Sequence, residues 1–390
     1  FYPGKKEYAF SVDFTVTQTI EWIVLSNKKL GAKADSKSKA CKITSSNISP
    51  YYAPPVAGKS PNIIGAELTS LINTPVNGTN MSSNFIYQTI PNPANPFNFS
   101  VLVDIVILNP AQYNSILSQL QSLGLTGIIN NGLNQLTISG YFPINKLSQL
   151  NTLSSQINFV RPVYAPLVEK GATTTLGDIS QRSDFVRNGY GLTGNGIKIG
   201  VLSDSYNNKG GAALDVSQGD LPVVQILEDY PRGRTDEGRA MLQIVHDVAP
   251  GASLAFKTAF YTAGHFAQGI KDLFQAGCKV IVDDVTFVTE PFFKDGMVAK
   301  AVAEVSTAGA TYVTAAGNHR NNAYSATFKP ATPPGTITGK AHNFGNGDIY
   351  QNIHLAPGDY MVVLQWNDNV FTLGGNTGAM VDMDIYLTND

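Results

Sequence analysis

The sequence predicts an α/β protein whose core is a doubly wound parallel sheet, with a small α+β unit before it and β-sandwich strands after it. Between residues 176 and 328, continuous apolar runs alternate with amphipathic segments, a pattern typical of buried parallel strands joined by helices. Between residues 101 and 166 the patterns follow the order βαββαβ. After residue 328, short apolar runs are separated by Pro-Gly and Gly-Gly turns, which indicates antiparallel strands.

Composition limits the possible functions. A chain of 390 residues with 43% hydrophobic residues is long enough for two or three domains with a sizeable core. Only 14% of the residues are charged and the formal net charge is −2, so nothing indicates a nucleic-acid partner. No apolar run reaches transmembrane length. Polarity comes mainly from Asn, Ser, Thr, Gly and Pro, as is common on secreted proteins, and we expect a secreted or cell-surface location.

We predict four regions along the chain. Residues 1–100 combine strand patterns with Pro- and Asn-rich pieces and are interpreted as a β-rich region and connector. Residues 101–168 form the α+β unit, residues 169–330 the parallel core, and residues 331–390 an incomplete β-sandwich. The α+β unit is predicted to contain the strand Val101–Leu108, the helix Ala111–Leu123, a hairpin of Gly127–Asn130 with Leu136–Phe142, the helix Pro143–Leu153 and the strand Phe159–Val163.

The core elements follow from apolar runs of strand length and from apolar residues at helical spacing. Predicted strands are Ile197–Leu202, Val223–Leu227, Ser253–Lys257, Val280–Val285 and Thr311–Ala315; predicted helices are Glu237–Val248, Gly264–Gln275 and Asp295–Ala308. In the last region, strands are predicted at Asn352–Leu355, Tyr360–Trp366 and Met380–Leu387.

Asp204 and Glu237 are the first candidates for chemistry. Asp204 follows the first core strand, and in open α/β sheets ligands bind beyond the carboxyl ends of the strands. Glu237 opens a helix after Thr235 and Asp236, both good N-cap residues. The alternatives are that Asp204 caps a loop and that Glu237 bends out to solvent.

The helical wheel orients the Glu237 helix. At about 100° per residue, Glu237 shares one face with Ala240, Met241, Ile244, Val245 and Val248. Arg239 and His246 lie on the opposite side. We therefore predict that Glu237 points inward, where it is placed to accept a proton at mildly acidic pH.

Asn318 ends the run from Thr311, after a glycine that lets backbone approach closely. A side-chain amide at that position can donate a hydrogen bond to an oxyanion. His319 follows directly and is a second base candidate, although neighbouring residues of an extended chain point in opposite directions and a loop role is the alternative.

Three segments in this order resemble the subtilisin-like peptidases: VLSDS at Val201–Ser205, EGR running to VAPGASL at Glu237–Leu254, and AAGN at Ala315–Asn318. The resemblance covers roughly residues 101–328. It implies that Asp204 is the catalytic acid, that Glu237 occupies the position of the base, and that Asn318 donates to the oxyanion. It also implies a subtilisin-like core, with residues 101–168 as a ferredoxin-like propeptide domain that assists folding and inhibits the enzyme.

Two departures from the family pattern stand out. A Glu at the base position resembles the sedolisins, which use a Ser-Glu-Asp triad. Sedolisins usually carry a second acid four residues later, where this chain has Met241, and an Asp at the oxyanion position, where it has Asn318. Asp283 and Asp284 are spare acids in the strand that borders the substrate. Asp284 either supports Glu237 or binds a basic substrate side chain, and a turn role is the alternative.

The second departure is the nucleophile, because the family's G-T-S-x-A motif does not occur in the chain. The segments Gln365–Asp368 and Asp382–Leu387 resemble the β-sandwich that some bacterial secreted members carry between the Asn and the Ser. This resemblance implies that the serine follows in a longer precursor. We therefore expect a secreted serine-type endopeptidase of bacterial origin that acts on protein or peptide substrates. The chain would be a propeptide-bearing fragment of it that lacks the nucleophilic serine. No cofactor is required, and a structural calcium ion remains open.

Two other hypotheses compete with the peptidase interpretation. One is a catalytically inactive cell-surface or adhesion protein on a peptidase scaffold. The other is a zymogen or inhibitor complex in which this chain pairs with a separate C-terminal fragment that carries the serine. A downstream G-T-S-x-A motif would favour the enzyme.

Overall fold

The structure is a computed structural model, and it describes residues 10–16, 20–23, 32–34, 62–73, 85–89, 99–132, 136–168, 177–319, 322–333, 335, 339–351, 358–373, 379–381 and 383–385. The chain divides into two compact units, which are described separately. The first comprises residues 1–2, 60–290 and 294–318, and the second comprises residues 3–59, 291–293 and 319–390. The predicted four-region division stays a prediction.

The elements are numbered in chain order. The strands are β1 (Phe10–Val16), β2 (Ile20–Ile23), β3 (Ala32–Ala34), β4 (Tyr87–Thr89), β5 (Phe99–Ile107), β6 (Thr126–Ile129), β7 (Thr137–Pro143), β8 (Ile157–Pro162), β9 (Leu167–Val168), β10 (Lys198–Ser203), β11 (Gln225–Glu228), β12 (Ser253–Thr258), β13 (Val280–Asp283), β14 (Val285–Thr286), β15 (Thr311–Thr314), β16 (Pro330–Ala331), β17 (Ala341–His342) and β18 (Gly358–Leu364). The helices are α1 (Ala66–Asn73), α2 (Tyr113–Leu123), α3 (Gly177–Gln181), α4 (Ser183–Tyr190), α5 (Ala212–Gln218), α6 (Glu237–Val248), α7 (Ala263–Gln275) and α8 (Met297–Thr307).

A five-stranded parallel sheet forms the centre of the first unit. Its strand order is β11-β12-β10-β13-β15, and every neighbouring pair is parallel. β10 therefore lies between the two halves of the sheet, where the chain switches from one side to the other. The carboxyl ends beside such a switch point are where α/β sheets bind ligands. The predicted parallel core is confirmed.

Helices cover this sheet on both faces, as parallel sheets require. Alternate strand residues Leu202, Ala255 and Ile281 pack in one cluster with residues of α7 and α8. The intervening residues pack in a second cluster with residues of α5 and α6; they include Val201, Leu254, Phe256 and Val282. The alternation shows that α6 and α7 lie on opposite faces of the sheet.

The first unit also contains an antiparallel sheet built from residues 87–162. β5 pairs with β7 along one edge and with β4 and β8 along the other, and β6 pairs with β7. The predicted helix over Pro143–Leu153 is instead a 3-10 helix over Ile144–Leu153. Apolar side chains from α1, α2 and this 3-10 helix, including Leu68, Ile116 and Leu147, form the core beneath the sheet.

In the second unit, β1 pairs antiparallel with β18, β2 with β3, and β16 with β17. β18 corresponds to the predicted strand Tyr360–Trp366. The predicted strand at Asn352–Leu355 lies outside the described residues. The prediction for Met380–Leu387 is wrong where the structure describes it, because residues 379–381 and 383–385 form bends and a single bridge rather than a strand. The β-sandwich stays a prediction.

Candidate functional site

Asp204 lies at the carboxyl end of β10 and is 1% exposed. Its Oδ2 accepts hydrogen bonds from the Thr235 backbone N–H (2.7 Å) and hydroxyl (2.6 Å). Its Oδ1 accepts from the Glu237 N–H (2.9 Å) and from the Ser205 N–H. These four donors tie the end of β10 to the first turn of α6. Asp204 therefore satisfies N–H groups at the start of the helix that have no partner within the helix.

Asp236 does not cap α6 in the way that the sequence predicts. It adopts a left-handed conformation (φ 62°), and its side chain makes no capping hydrogen bond to the helix. Its carboxylate instead accepts from the Ser205 hydroxyl (2.8 Å) and from the N–H groups of Asn208 (2.5 Å) and Lys209 (2.8 Å). Asp236 thus fixes the loop after Asp204, while Asp204 takes over the cap.

The predicted inward face of α6 is wrong in part. Gly238 and Leu242 are the buried residues, whereas Ala240 is exposed and Ile244 is 44% exposed. The reason is the close approach at Gly238, because a Cβ there would lie 2.3 Å from Phe256 Cε2 and 2.9 Å from the Ser205 carbonyl oxygen. Because the backbone of α6 contacts the sheet at Gly238, the helix face that contains Gly238 is the buried one.

Glu237, at the first position of α6, is half-buried. Its charge acts on Asp284, which is 5% exposed and immediately follows β13. Burial and, after it, the charges of Glu237, Asp283 and Asp204 raise the pKa of Asp284 to about 7, although a hydrogen bond from Ser203 lowers it. Asp204, Glu237 and Asp284 thus belong to one electrostatic neighbourhood.

Asp283 has separate contacts from those of Asp284. It is 3% exposed, and its Oδ1 accepts from the Val285 N–H (3.0 Å) and the Thr314 hydroxyl (3.1 Å). Burial raises the pKa of its carboxyl. These contacts hold the end of β13 to β15 and to the start of β14.

Asn318 and His319 are both exposed. Asn318 comes four residues after the end of β15, and β13 separates β15 from β10 in the sheet. His319 belongs to the second unit, whereas the other candidates belong to the first. The roles of Asp204, Glu237 and Asn318, and of the secondary candidates Asp283, Asp284 and His319, stay predictions.

The short strand β9 follows the antiparallel unit (residues 87–162) and pairs with the strand next to Asp284. β9 pairs antiparallel with β14, with Val168 opposite Val285 and Leu167 opposite Thr286. β14 begins one residue after Asp284. Because the two strands run in opposite directions, β9 advances along the chain toward the Asp284 end of β14.

A polar contact joins the antiparallel unit to the start of α7. The Thr262 hydroxyl donates to Asn131 Oδ1 (2.7 Å). As the N-cap of α7, Thr262 Oγ1 also accepts from the His265 N–H (3.0 Å). A Cβ at Gly264 would lie 2.8 Å from Asn131, so the turn sits directly against the helix. Asn131 is anchored in turn by Ser139, whose hydroxyl accepts from its Nδ2 (2.7 Å).

Within the described ranges, no group of three or more His, Cys, Asp or Glu side chains is arranged to hold a metal ion. None of the helices described is long and apolar enough to cross a membrane. Calcium binding stays a prediction.

The chain matches no protein-family model and no curated protein. Among solved structures it is similar to fervidolysin from Fervidobacterium pennivorans, a keratinolytic enzyme related to subtilisin, with 13% identity and a TM-score of 0.36 over 61% of this chain and 42% of that one. It is also similar to EpiP from Staphylococcus aureus, a serine protease that processes the epidermin leader peptide, with 14% identity and a TM-score of 0.34 over 56% of this chain and 60% of that one. The chain therefore spans less than two thirds of either structure.

Two contacts at the site were not foreseen from the sequence. Thr235 was interpreted as a helix cap, but both its N–H and its hydroxyl bind Asp204. Ser203 directly follows the predicted strand Ile197–Leu202 and was assigned no role, but its hydroxyl donates to Asp284 Oδ2 (3.1 Å). The sequence signal for Ser203 is its position at the end of a strand, directly before the acid Asp204. Its partner depends on the strand order, which no local pattern specifies.

Proposed function

We propose that this chain carries the acid–base part of a secreted serine-type endopeptidase of the subtilisin and sedolisin type. The observation that carries the proposal is the grouping of Asp204, Glu237 and Asp284 where β10, β13 and the amino end of α6 meet. Acids with different environments at the carboxyl edge of a parallel sheet suit proton transfer at a bound substrate.

In the proposed reaction, a serine attacks the peptide carbonyl and Glu237 accepts its proton. Glu237 then returns that proton to the leaving amine. Asp204 positions Glu237 through the backbone, since it accepts the Glu237 N–H and both donors of Thr235. Asn318 stabilises the oxyanion. Each role follows the resemblance that the motifs indicate.

The antiparallel unit is proposed to act as a propeptide. Its support is twofold: β9 pairs with β14 beside Asp284, and the Asn131–Thr262 hydrogen bond docks the unit on α7. An extended peptide that adds to a free strand edge gains affinity from main-chain hydrogen bonds. We propose that a substrate peptide takes the place of β9 once the unit has left.

The nucleophile is proposed to come from further chain, either in a longer precursor or in a separate C-terminal fragment. The exposure of β15 supports this, because Thr311 and Thr314 are exposed and Val313 is 48% exposed. Strands of parallel sheets are normally covered on both faces. A segment that covers β15 would also lie beside Asn318, four residues after that strand.

The test uses a fluorophosphonate probe, which labels activated serines. The chain of 390 residues and the product of its complete reading frame are each incubated with the probe, with and without Glu237→Gln. We expect labelling in the longer product alone, strongly reduced by Glu237→Gln, and casein cleavage with an optimum below that of a His-based enzyme.

Three results would contradict the proposal. The first is a reading frame that supplies no labelled serine, which would favour an inactive adhesion protein on the same scaffold. The second is labelling that Glu237→Gln leaves unchanged. The third is casein cleavage that is best above about pH 9, where a carboxylate base has no advantage.

A further inference from the structure

Asp284 and Ser203 stand side by side at the carboxyl ends of two central strands. β10 and β13 pair in parallel with Leu202 opposite Asp283, so the next residues along are Ser203 and Asp284. The Ser203 hydroxyl donates to Asp284 Oδ2 (3.1 Å). Because side chains alternate along a strand, Asp284 continues the face of Val282, which packs in the cluster of α6. Its carboxyl therefore points to the layer of α6.

The second oxygen of Asp284 is buried without a hydrogen bond. Asp284 is 5% exposed, and within the described part of the chain its Oδ1 has no hydrogen-bond partner. An ionised carboxylate in that place would be desolvated with a single donor, which is strongly unfavourable. A protonated carboxyl is favoured instead, and its O–H then needs an acceptor.

Glu237 is the acceptor that the surroundings favour. The charged groups that act on Asp284 come from three elements: Glu237 from α6, Asp283 from β13 and Asp204 from the end of β10. Of these, Glu237 has the largest effect. Its N–H donates to Asp204 Oδ1 (2.9 Å), which places the start of α6 beside the end of β10. All three are acids, so each favours a proton on Asp284.

We propose that Asp284 is a positioning residue for Glu237: its buried carboxyl keeps its proton and donates it in a hydrogen bond to the Glu237 carboxylate. The shared proton orients Glu237 and offsets part of the repulsion within the acid cluster. Burial, together with the neighbouring acids, raises the pKa of Asp284 to about 7, in agreement with a carboxyl that stays neutral in acidic solution. The catalytic meaning of this pair rests on the proposed function, but the hydrogen bond itself does not.

The experiment follows the titration of Asp284 in the intact chain by carbon-13 NMR of labelled aspartate carboxyls. We expect one aspartate signal to titrate near pH 7 and to be absent in Asp284→Asn. In Glu237→Gln the midpoint of that signal should fall by about one pH unit or more, because a like charge has been removed at short range. An unchanged midpoint in Glu237→Gln would overturn the proposal, as would a signal that titrates near pH 4.

Two further variants keep the test decisive. Ser203→Ala removes the hydrogen bond that lowers the pKa of Asp284, so the same signal should move to higher pH, and it identifies the signal even if Asp284→Asn fails to fold. Asp220→Asn removes an exposed acid as the matched control and should leave the midpoint unchanged. A shift of equal size in Asp220→Asn would show a general charge effect and contradict the specific pair.

An activity measurement separates this proposal from the proposed function. In the full-length product, Asp284→Asn should move the basic limb of the pH profile of kcat/KM upward, since an amide stays a neutral donor at every pH. An unmoved basic limb, in an enzyme that does cleave peptides, would count against positioning by Asp284. If the product cleaves nothing, the proposed function fails while the NMR titration still decides the pairing.

Discussion

The raised pKa of Asp284 makes the stability of the first unit depend on pH in an unusual direction. An acid with a raised pKa holds its proton in the folded state and releases it in the unfolded state. Stability is therefore greatest below the ordinary value of 3.8 and is lost as the pH rises to about 7. Acids that form salt bridges usually have a lowered pKa, so their contribution to stability is instead lost as the pH falls.

The perturbation is Asp284→Asn, which keeps the size of the side chain and removes its titration. Since one pH unit in a pKa corresponds to about 1.4 kcal/mol, a pKa raised from 3.8 to about 7 gives at most about 4 kcal/mol of destabilisation above pH 7. Between pH 4 and pH 8, the free energy of unfolding of the variant should therefore rise relative to that of the wild type by up to this amount. The slope should be about 1.4 kcal/mol per pH unit.

The assay is urea unfolding at several pH values, followed by hydrogen exchange of peptides that cover β10 and β13. These peptides report on the first unit alone. Asp220→Asn serves as the control, because it removes an exposed acid and should show no pH-dependent difference from the wild type. If Asp284→Asn changes the free energy of unfolding by the same amount at pH 4 and pH 8, the reasoning about Asp284 is refuted.

Two further predictions concern packing in the first unit. Gly238→Ala should lower the free energy of unfolding by about 1–3 kcal/mol in urea titrations, because its Cβ would lie 2.3 Å from Phe256 Cε2. Gly189→Ala in α4 is the matched control: its Cβ meets nothing within 4 Å, so equal losses in the two variants would contradict the close-approach argument. Thr262→Ala should lower the free energy of unfolding by about 1 kcal/mol or more, because the α7 cap and the Asn131 contact are lost. Thr262→Ser keeps the hydroxyl and should retain the wild-type stability. An equal loss in both variants would show that the hydroxyl does not carry the effect.

Much of the parallel core was predictable from local pattern. α6 begins and ends at the predicted residues, Glu237 and Val248, because its apolar spacing stops just before Pro250. The predicted core strands lie within a few residues of those observed, since continuous apolar runs of that length form buried strands. The 3-10 helix at Ile144–Leu153 was missed because its apolar spacing also fits an α-helix.

The orientation of α6 was not predictable in the same way. A helical wheel weighs side chains by their hydrophobicity and gives a glycine no weight. Here Gly238 decides the packing, because it lets the helix backbone meet Phe256 and the Ser205 carbonyl. The cap was misjudged for a related reason. Capping rules look for the acceptor in the sequence next to the helix, whereas here Asp204, at the end of β10, accepts the N–H groups of Thr235 and Glu237.

Glu237, the proposed base, and Asp284, which follows β13, are linked by electrostatics. A histidine at the start of α6 would become a cation on accepting a proton, and a cation favours ionised acids around it. Glu237 has the opposite effect, because it is an anion before it accepts the proton and neutral afterwards. While Glu237 is ionised, its charge favours the protonated form of a neighbouring acid. Once Glu237 is protonated, this effect is lost. Asp284, with one donor where Asp204 has four, has the environment that such a partner requires.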